Sequence, residues 1–247
     1  MAVLSKKDKN TIVRIKVVIW EGRHLAWRAG VCYTAKCENP PDRHRIWFFA
    51  CDGNKILYSG KGDTALNYAN IKYCDISNGT GVRTSLFVSG CRRHCENCFN
   101  KIAWDFNYGK PFDKEVRNQI LASLKPDYIG GLFLLGGEPF EPENQRALVS
   151  FLHDVKILYP HKTIWCYTGN VYETELLQPS ASRCEVTDEM LGYIDILVDG
   201  AFVQDLYDIS LRFRGSSNQR IIDMNATRAA GHVVLWQDDP IFADHKM

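Results

Sequence analysis

An apolar run leads directly into three closely spaced cysteines in the stretch Leu86-Phe87-Val88-Ser89-Gly90-Cys91-Arg92-Arg93-His94-Cys95-Glu96-Asn97-Cys98. The run has the composition of a short buried strand, which the glycine ends. Three thiolates on one short loop can surround a small metal centre and leave one coordination position without a protein ligand. A closed structural site normally uses four cysteine or histidine ligands. The stretch therefore predicts a reactive metal centre directly after a buried strand.

Two other interpretations of these cysteines remain open from the residues alone. A zinc site could use them with a distant cysteine or with His94 as fourth ligand, although His94 lies inside the loop next to Cys95. A disulfide with one spare thiol is a weaker alternative. The chain has nine cysteines, an odd number, and its first 20 residues lack the uninterrupted apolar centre of a signal peptide. This favours metal ligation in a reducing compartment, so we expect a cytoplasmic protein.

The overall composition is that of an ordinary globular protein. The 247 residues are enough for one sizeable core or two small ones, with 45% hydrophobic and 24% charged residues. The net charge of +1 gives no reason to expect nucleic acid or an acidic membrane surface as partner. No apolar run approaches the roughly 20 residues of a membrane span. We therefore expect neither nucleic acid nor a membrane as partner.

From about residue 67 onward the pattern alternates between strands and amphipathic helices. The predicted strands are 85–89, 132–135, 163–167 and 194–198, and the predicted helices are 113–124 and 143–159, with Asp113 as an N-cap. Strands separated by single helices form parallel βαβ units with right-handed crossovers. Both an open α/β sheet and a partial α/β barrel satisfy this pattern.

A second motif is Leu134-Leu135-Gly136-Gly137-Glu138-Pro139-Phe140. Two glycines at the end of a strand let a ligand approach the backbone closely, because no Cβ intervenes. The Glu138 carboxylate could accept hydrogen bonds from a ligand ammonium group, and Pro139 stiffens the turn. Taken alone, these residues are more simply explained as a strand-to-helix turn.

Three arginines near the C-terminus form a third candidate site, within Arg212-Phe213-Arg214-Gly215-Ser216-Ser217-Asn218-Gln219-Arg220. Arg212, Arg214 and Arg220 could bind a carboxylate, a phosphate or an acidic partner. The same residues could equally form a turn with a solvated basic face. The sequence does not separate the two interpretations.

The cysteine spacing followed by Gly-Gly-Glu-Pro resembles the radical S-adenosylmethionine (SAM) superfamily. The resemblance implies an α/β fold of mostly parallel strands in a partial (β/α) barrel, with the chemistry at the C-terminal ends of the strands. It implies a [4Fe-4S] cluster held by Cys91, Cys95 and Cys98, with SAM on the fourth iron. The cofactor-binding residues implied are Asn97, Cys98, Phe99, Gly136, Gly137, Glu138 and Pro139, of which Gly136 to Pro139 contact the amino group of SAM and Phe99 can stack on the adenine.

A closer resemblance is to the activating proteins of anaerobic (class III) ribonucleotide reductases. It rests on the segments 78–91, 98–104, 165–169, 199–200 and 214–220, and it spans roughly residues 66–225. The resemblance implies that SAM is cleaved reductively and that the resulting radical removes a hydrogen atom from a glycine of the reductase. Two alternatives are an activase of another glycyl radical enzyme, of the pyruvate formate-lyase type, and a non-catalytic zinc-binding module.

The resemblance also implies an electron donor. We hypothesise that Arg92, Arg93 and Lys101 form a docking surface for an acidic, flavodoxin-like protein. A solvated basic loop without a partner explains the same residues equally well.

Residues 1–65 lie outside the resemblance and form an N-terminal extension of unknown role, ahead of an activase domain at 66–247. Cys32, Cys37 and Cys51 form only a weak candidate for a second metal site, because their spacing is irregular and a fourth ligand is missing. Leu66 stands where the initiator methionine of the family would be, and leucine codons can serve as bacterial starts. We therefore hypothesise that residues 1–65 come from an over-extended gene assignment, which the intact mass of the protein from its native host would test.

Overall fold

A computed structural model describes residues 66–240 and, before them, the backbone of four short strands. These are β1 (Val17–Glu21), β2 (His24–Arg28), β3 (Ala50–Asp52) and β4 (Lys55–Leu57). The chain divides into two compact units, residues 1–61 and 62–247. In the first unit β1 pairs antiparallel with β2, and β3 pairs antiparallel with β4. The suggested second metal site depends on the side chains of Cys32, Cys37 and Cys51, which lie outside the described part of the chain.

The described part of the second unit contains seven strands and four α-helices. In chain order they are β5 (Asn67–Asp75), β6 (Val82–Val88), β7 (Lys110–Pro111), α1 (Lys114–Ser123), β8 (Ile129–Gly136), α2 (Pro142–Leu158), β9 (Thr163–Tyr167), α3 (Thr187–Tyr193), β10 (Ile196–Asp199), β11 (Arg220–Asp223) and α4 (Met224–Ala230). The strands form one sheet in the order β11-β10-β9-β8-β6-β5-β7. None of the described helices is long and apolar enough to cross a bilayer.

The centre of the sheet is parallel and its two ends are antiparallel. Strands β6, β8, β9 and β10 run parallel to one another and are joined through α1, α2 and α3, so the predicted βαβ units are confirmed. Three further pairings are antiparallel: β5 with β6, β5 with β7, and β10 with β11. The expectation of mostly parallel strands therefore holds only for the central four, because the outer strands return to the sheet without a crossover helix.

The sequence pattern located the central elements well. The predicted strand 163–167 coincides with β9, and the predicted helix 113–124 is α1 with its flanking caps. The carboxylate of Asp113 accepts a hydrogen bond from the backbone N–H of Val116 at 2.9 Å, as an N-cap does.

The two faces of the sheet carry different cores. Along β8, Leu132 and Leu134 join a large core with residues of α1, α2 and α3, whereas Phe133 and Leu135 join a smaller cluster on the opposite face. This division follows from the alternation of side chains along a strand. Trp165 belongs to the second cluster. Loop residues, and not helices, cover this cluster. All three crossover helices thus lie on one face of the sheet.

Candidate functional site

A cavity of about 630 Å³ opens where the parallel strands end. Its wall includes residues that follow each of the four central strands: Cys91 after β6, Gly137 after β8, Thr168 after β9 and Gly200 after β10. The C-terminal ends of parallel strands meet at one edge, which is where α/β proteins place their ligands. The cavity is therefore the candidate site.

The structure brings all but one of the proposed cluster and cofactor residues to this cavity. Its wall contains Cys91, Cys95, Asn97, Cys98, Phe99, Gly136, Gly137 and Glu138. Pro139 is not part of the wall. Phe99 stands at the surface with 87% of its area exposed.

The backbone of the cysteine loop, residues 91–98, is hydrogen-bonded at its start and contains two left-handed residues. The N–H groups of Gly90 and Cys91 donate to the carbonyls of Ala103 and Trp104 at 2.8 and 3.1 Å. His94 and Asn97 adopt left-handed backbone conformations, with φ of 48° and 52°. Histidine and asparagine are enriched in this conformation among residues other than glycine. These two residue types therefore allow the chain to turn back twice within the loop.

The thiols of the loop differ in burial. Cys91 is 8% exposed, and Cys95 and Cys98 are half-buried; all three are free thiols. Burial raises the pKa of the Cys91 thiol to about 11, and the nearby Glu138 charge adds to the rise. A thiol in this position stays protonated near neutral pH unless a metal centre replaces its proton.

Two observations concern a single-ion site at the loop. Among the described residues, no three His, Cys, Asp or Glu side chains gather closely enough to hold one metal ion. The ring of His94 stacks on Trp104, with centroids 4.5 Å apart and planes at 26°. The loop therefore fits a cluster better than a zinc site with His94 as fourth ligand.

Two buried polar atoms next to the loop lack partners. The indole N–H of Trp104 and the hydroxyl of Ser89 have no hydrogen-bond partner among the described residues. Trp104 also lines the cavity. A buried donor without an acceptor is costly unless a ligand supplies one, and the sulfurs of a cluster accept hydrogen bonds.

The two sequence motifs meet through their backbones. The N–H of Gly137 donates to the Val88 carbonyl at 2.7 Å, and the N–H of Glu138 donates to the Gly90 carbonyl at 2.8 Å. The side-chain amide of Asn144, in the first turn of α2, donates to the carbonyls of Ser89 and Glu138 at 3.0 and 2.9 Å. Asn144 was not predicted from the sequence.

Glu138 is buried and held by protein donors. Its carboxylate accepts from the Phe140 N–H at 2.9 Å, the Thr168 hydroxyl at 2.8 Å and the Gly169 N–H at 2.8 Å. Burial raises the pKa of Glu138, and these hydrogen bonds oppose the rise. The side chain therefore ties the end of β8 to the end of β9.

The arginines of the cysteine loop have partners within the chain. Arg92 pairs with Glu141 and Glu143, whereas Arg93 pairs with Glu175 and donates to Asn170. Lys101 is exposed. The charges of both arginines are thus compensated by nearby carboxylates.

The three C-terminal arginines separate into two groups. Arg220 pairs with Asp199 and Glu173, and Arg212 pairs with Asp238. Arg214 lines the cavity and donates to the Gln219 carbonyl at 2.9 Å. Of these arginines, Arg214 is the one in the cavity wall.

Comparisons with known proteins agree with this site. Residues 77–222 match a family model described as a 4Fe-4S single cluster domain. A protein of Pasteurella multocida (strain Pm70) is 44% identical over 158 residues, which are 63% of this chain and 96% of the relative. A protein of Escherichia coli (strain K12) is 42% identical over 156 residues, 62% of this chain and 96% of the relative. One of Enterobacteria phage T4 is 36% identical over 156 residues, 63% of this chain and 93% of the relative.

All three relatives are named anaerobic ribonucleoside-triphosphate reductase-activating protein. This chain belongs to that family. The resemblance drawn from the motifs is thereby confirmed, and the 4Fe-4S match supports an iron–sulfur cofactor for this activating protein. The matched region contains the whole cysteine loop and the Gly136–Glu138 segment.

Proposed function

We propose that this activating protein is a radical SAM activase, which cleaves SAM reductively and generates a glycyl radical on the anaerobic ribonucleoside-triphosphate reductase. The observation that carries the proposal is the meeting of the cysteine loop and the Gly136–Glu138 segment in one cavity. The relatives are named for the reductase, which favours it over a glycyl radical enzyme of the pyruvate formate-lyase type.

The residues of the cavity have distinct roles in this proposal. Cys91, Cys95 and Cys98 would hold the cluster, and Gly136 and Gly137 would admit SAM close to the backbone. When bound, the reduced cluster and SAM supply a 5′-deoxyadenosyl radical that can remove a hydrogen atom from a glycine Cα.

Three further residues would complete the SAM site. Glu138 has three of its roughly four acceptor positions filled and the Arg93 guanidinium 3.8 Å from its carboxylate, so at most one position remains for the amino group of SAM. The exposed ring of Phe99 would stack on the adenine, with Asn97 turning the loop toward it. Pro139 would act by stiffening the turn behind Glu138.

The arrangement of the sheet supports a partial barrel. The order β6-β8-β9-β10 follows the chain without reversal, and the crossover helices lie on one face. Doubly wound sheets reverse their strand order and carry helices on both faces, whereas barrels wind in one direction. We therefore propose that residues 66–247 form an activase domain of the radical SAM type. Initiation at Leu66 stays a prediction.

An acidic, flavodoxin-like electron donor and a cytoplasmic location also stay predictions. The side chain of Arg92 remains 57% exposed despite its ion pairs, whereas that of Arg93 is 23% exposed. A donor would therefore approach over Arg92, and Arg92→Glu should slow reduction of the cluster by the donor. Unchanged reduction kinetics would remove this surface from the proposal.

Electron paramagnetic resonance tests the proposed function. The full chain is reconstituted anaerobically with iron and sulfide, reduced, and mixed with SAM and the reductase. We expect a glycyl doublet that requires SAM and is lost in Cys91→Ala but not in Cys74→Ala, which removes an exposed cysteine outside the loop. SAM cleavage without a radical on the reductase would reject the substrate, and the absence of any cluster signal would reject the activase.

A further inference from the structure

The loop 201–219, between β10 and β11, forms one wall of the cavity. Phe202, Tyr207, Leu211, Phe213 and Arg214 are among its lining residues. Strands β9 and β8 separate β10 from β6, so three strand spacings, roughly 14 Å, lie between this loop and the cysteine loop along the sheet edge. The two loops therefore stand at opposite sides of the cavity.

Hydrogen bonds within the loop fix its shape. The side chain of Gln219 accepts from the N–H of Gly215 at 2.9 Å and donates to the Gly200 carbonyl at 3.0 Å. Phe213 has a left-handed φ of 58°, and its carbonyl accepts from the Tyr167 hydroxyl at 2.9 Å. A bulky residue in this conformation persists only when its surroundings hold it there. Contacts within the protein thus hold the wall in its shape.

Most of the N–H donors of Arg214 have no partner among the described residues. Among the described residues its one hydrogen-bond partner is the Gln219 carbonyl and it has no carboxylate partner, unlike Arg220, which pairs with two carboxylates. A guanidinium carries five N–H donors, so four of those of Arg214 have no acceptor among the described residues. Such a group suits carbonyl or carboxylate oxygens of a ligand.

The same loop exposes apolar side chains that do not line the cavity, among exposed polar ones such as Asp205 and Asp208. Ile209 is 81% exposed, Leu206 42% and Val203 38%. Ile209 does not line the cavity, so a small molecule confined to the cavity would not cover it. A polypeptide that enters the cavity while resting on its rim would reach both sides of the loop. Exposed apolar side chains this close together in the chain, next to a cavity, are typical of protein interaction sites.

We propose that loop 201–219 is the wall that recognises the protein substrate, and that its occupant is the glycine-bearing segment of the reductase. Arg214 donates hydrogen bonds to carbonyl oxygens of that segment, and Ile209 and Leu206 pack against its apolar side chains. The inference rests on the proposed function, since it requires a protein as substrate. It assigns recognition to the side of the cavity away from the cluster.

Binding of the reductase to the full-length, cluster-loaded activase tests the proposal. The variants are Ile209→Ser and Arg214→Gln, and the matched control is Ile157→Ser, which changes an isoleucine of α2 that is 46% exposed and outside the cavity. We expect Ile209→Ser to raise the Kd for the reductase about tenfold, which is the size of effect given by burying one large aliphatic side chain. Arg214→Gln should lower the glycyl radical yield several-fold, with partial rescue by Arg214→Lys, and Ile157→Ser should match the wild type.

Iron content and the urea midpoint show that each variant is folded and loaded. If Ile209→Ser and Arg214→Gln bind and activate the reductase like the wild type, the recognition role of the loop is wrong while the proposed function stands. If Ile209→Ser instead changes the self-association of the activase and leaves reductase binding intact, the patch binds a second copy and the proposal is overturned. If the wild type generates no glycyl radical, the proposed function fails and this inference fails with it.

Discussion

Gly137→Ala is a direct test of how the cysteine loop is held against the end of β8. A Cβ on residue 137 would lie 2.5 Å from the Gly90 carbonyl oxygen and 2.9 Å from that of Ala103. Both contacts are to backbone atoms, which cannot rotate away as a side chain can. The backbone of Gly137 lies outside the left-handed region, so alanine is not strained by its φ angle. The whole effect is therefore steric.

The size of the effect follows from the distances. A Cβ contact of 2.5 Å must open to at least 3.4 Å to become ordinary, so the strand end and the loop must separate by almost an ångström. Such a shift breaks the hydrogen bonds from Gly137 to Val88 and from Glu138 to Gly90, at 2.7 and 2.8 Å. Each lost bond between buried groups costs roughly 1–2 kcal/mol. We expect the free energy of unfolding to fall by about 2–4 kcal/mol.

The assay is urea unfolding of the metal-free protein, followed by iron analysis after reconstitution. Gly192→Ala is the matched control, because Gly192 lies in α3 and a Cβ there meets no atom within 4 Å. In a helix this exchange should stabilise the protein by about 0.5–1 kcal/mol. Gly137→Ala should also bind less iron than the wild type. A Gly137→Ala protein with wild-type stability and a full iron complement would refute the reasoning.

Three other predictions follow from the site. In the metal-free protein at pH 8, Cys91 should be the last of the loop cysteines to be alkylated, because it is 8% exposed and burial raises its pKa to about 11. Its alkylation rate, followed by mass spectrometry, should increase as the pH rises. Equal rates for the three cysteines would contradict this. Trp104→Phe removes a buried N–H that has no acceptor among the described residues. If this N–H donates to a sulfur of the cluster, its loss should make the reduction potential of the reconstituted cluster more negative. An unchanged potential would show that the N–H makes no hydrogen bond to the cluster. Arg220→Gln leaves the carboxylate of Asp199, which is 1% exposed, without its cation, and should lower the free energy of unfolding in urea by about 2–3 kcal/mol. Arg146→Gln breaks an exposed ion pair and should lower it by under about 1 kcal/mol. Equal losses would refute the distinction between buried and exposed pairs.

The sequence predicted the centre of the fold better than its edges. Strand β9 is recognisable because it is buried on both faces and bounded by turns. By contrast, α3 has seven residues, and β11 has four and begins with Arg220. Elements this short carry too few residues for a periodic pattern, and their formation depends on the neighbours they pack against. Neither was predicted.

The same distinction holds at the candidate site. The cysteine loop and the Gly136–Glu138 segment are local motifs, so spacing alone was enough to propose them. The ion pair of Arg93 with Glu175 joins residues 82 positions apart, and Asn144 reaches back 55 positions to Ser89. Partners at such separations are set by the order of strands in the sheet, which local patterns do not contain.

Buried carboxylates connect the strand ends that form the floor of the cavity. Glu138, after β8, accepts from Thr168 and Gly169 after β9, and Asp199, at the end of β10, accepts from the N–H of Tyr172 and from Arg220 of β11. These contacts involve protein groups alone, so the protein itself holds the strand ends together.

The cysteine loop is held differently. It is anchored by two backbone hydrogen bonds at its start, by the N–H of Arg92 on the Glu141 carboxylate and by the ion pairs of its arginines, while its thiols are the proposed ligands of the cluster. Removing the cluster should therefore loosen residues 91–98 and leave the strand ends in place. Hydrogen exchange on the cluster-loaded and metal-free protein would show this as a loss of protection confined to the loop. A loss that spread to β8 and β9 would mean that the cluster, and not the carboxylates, organises the cavity.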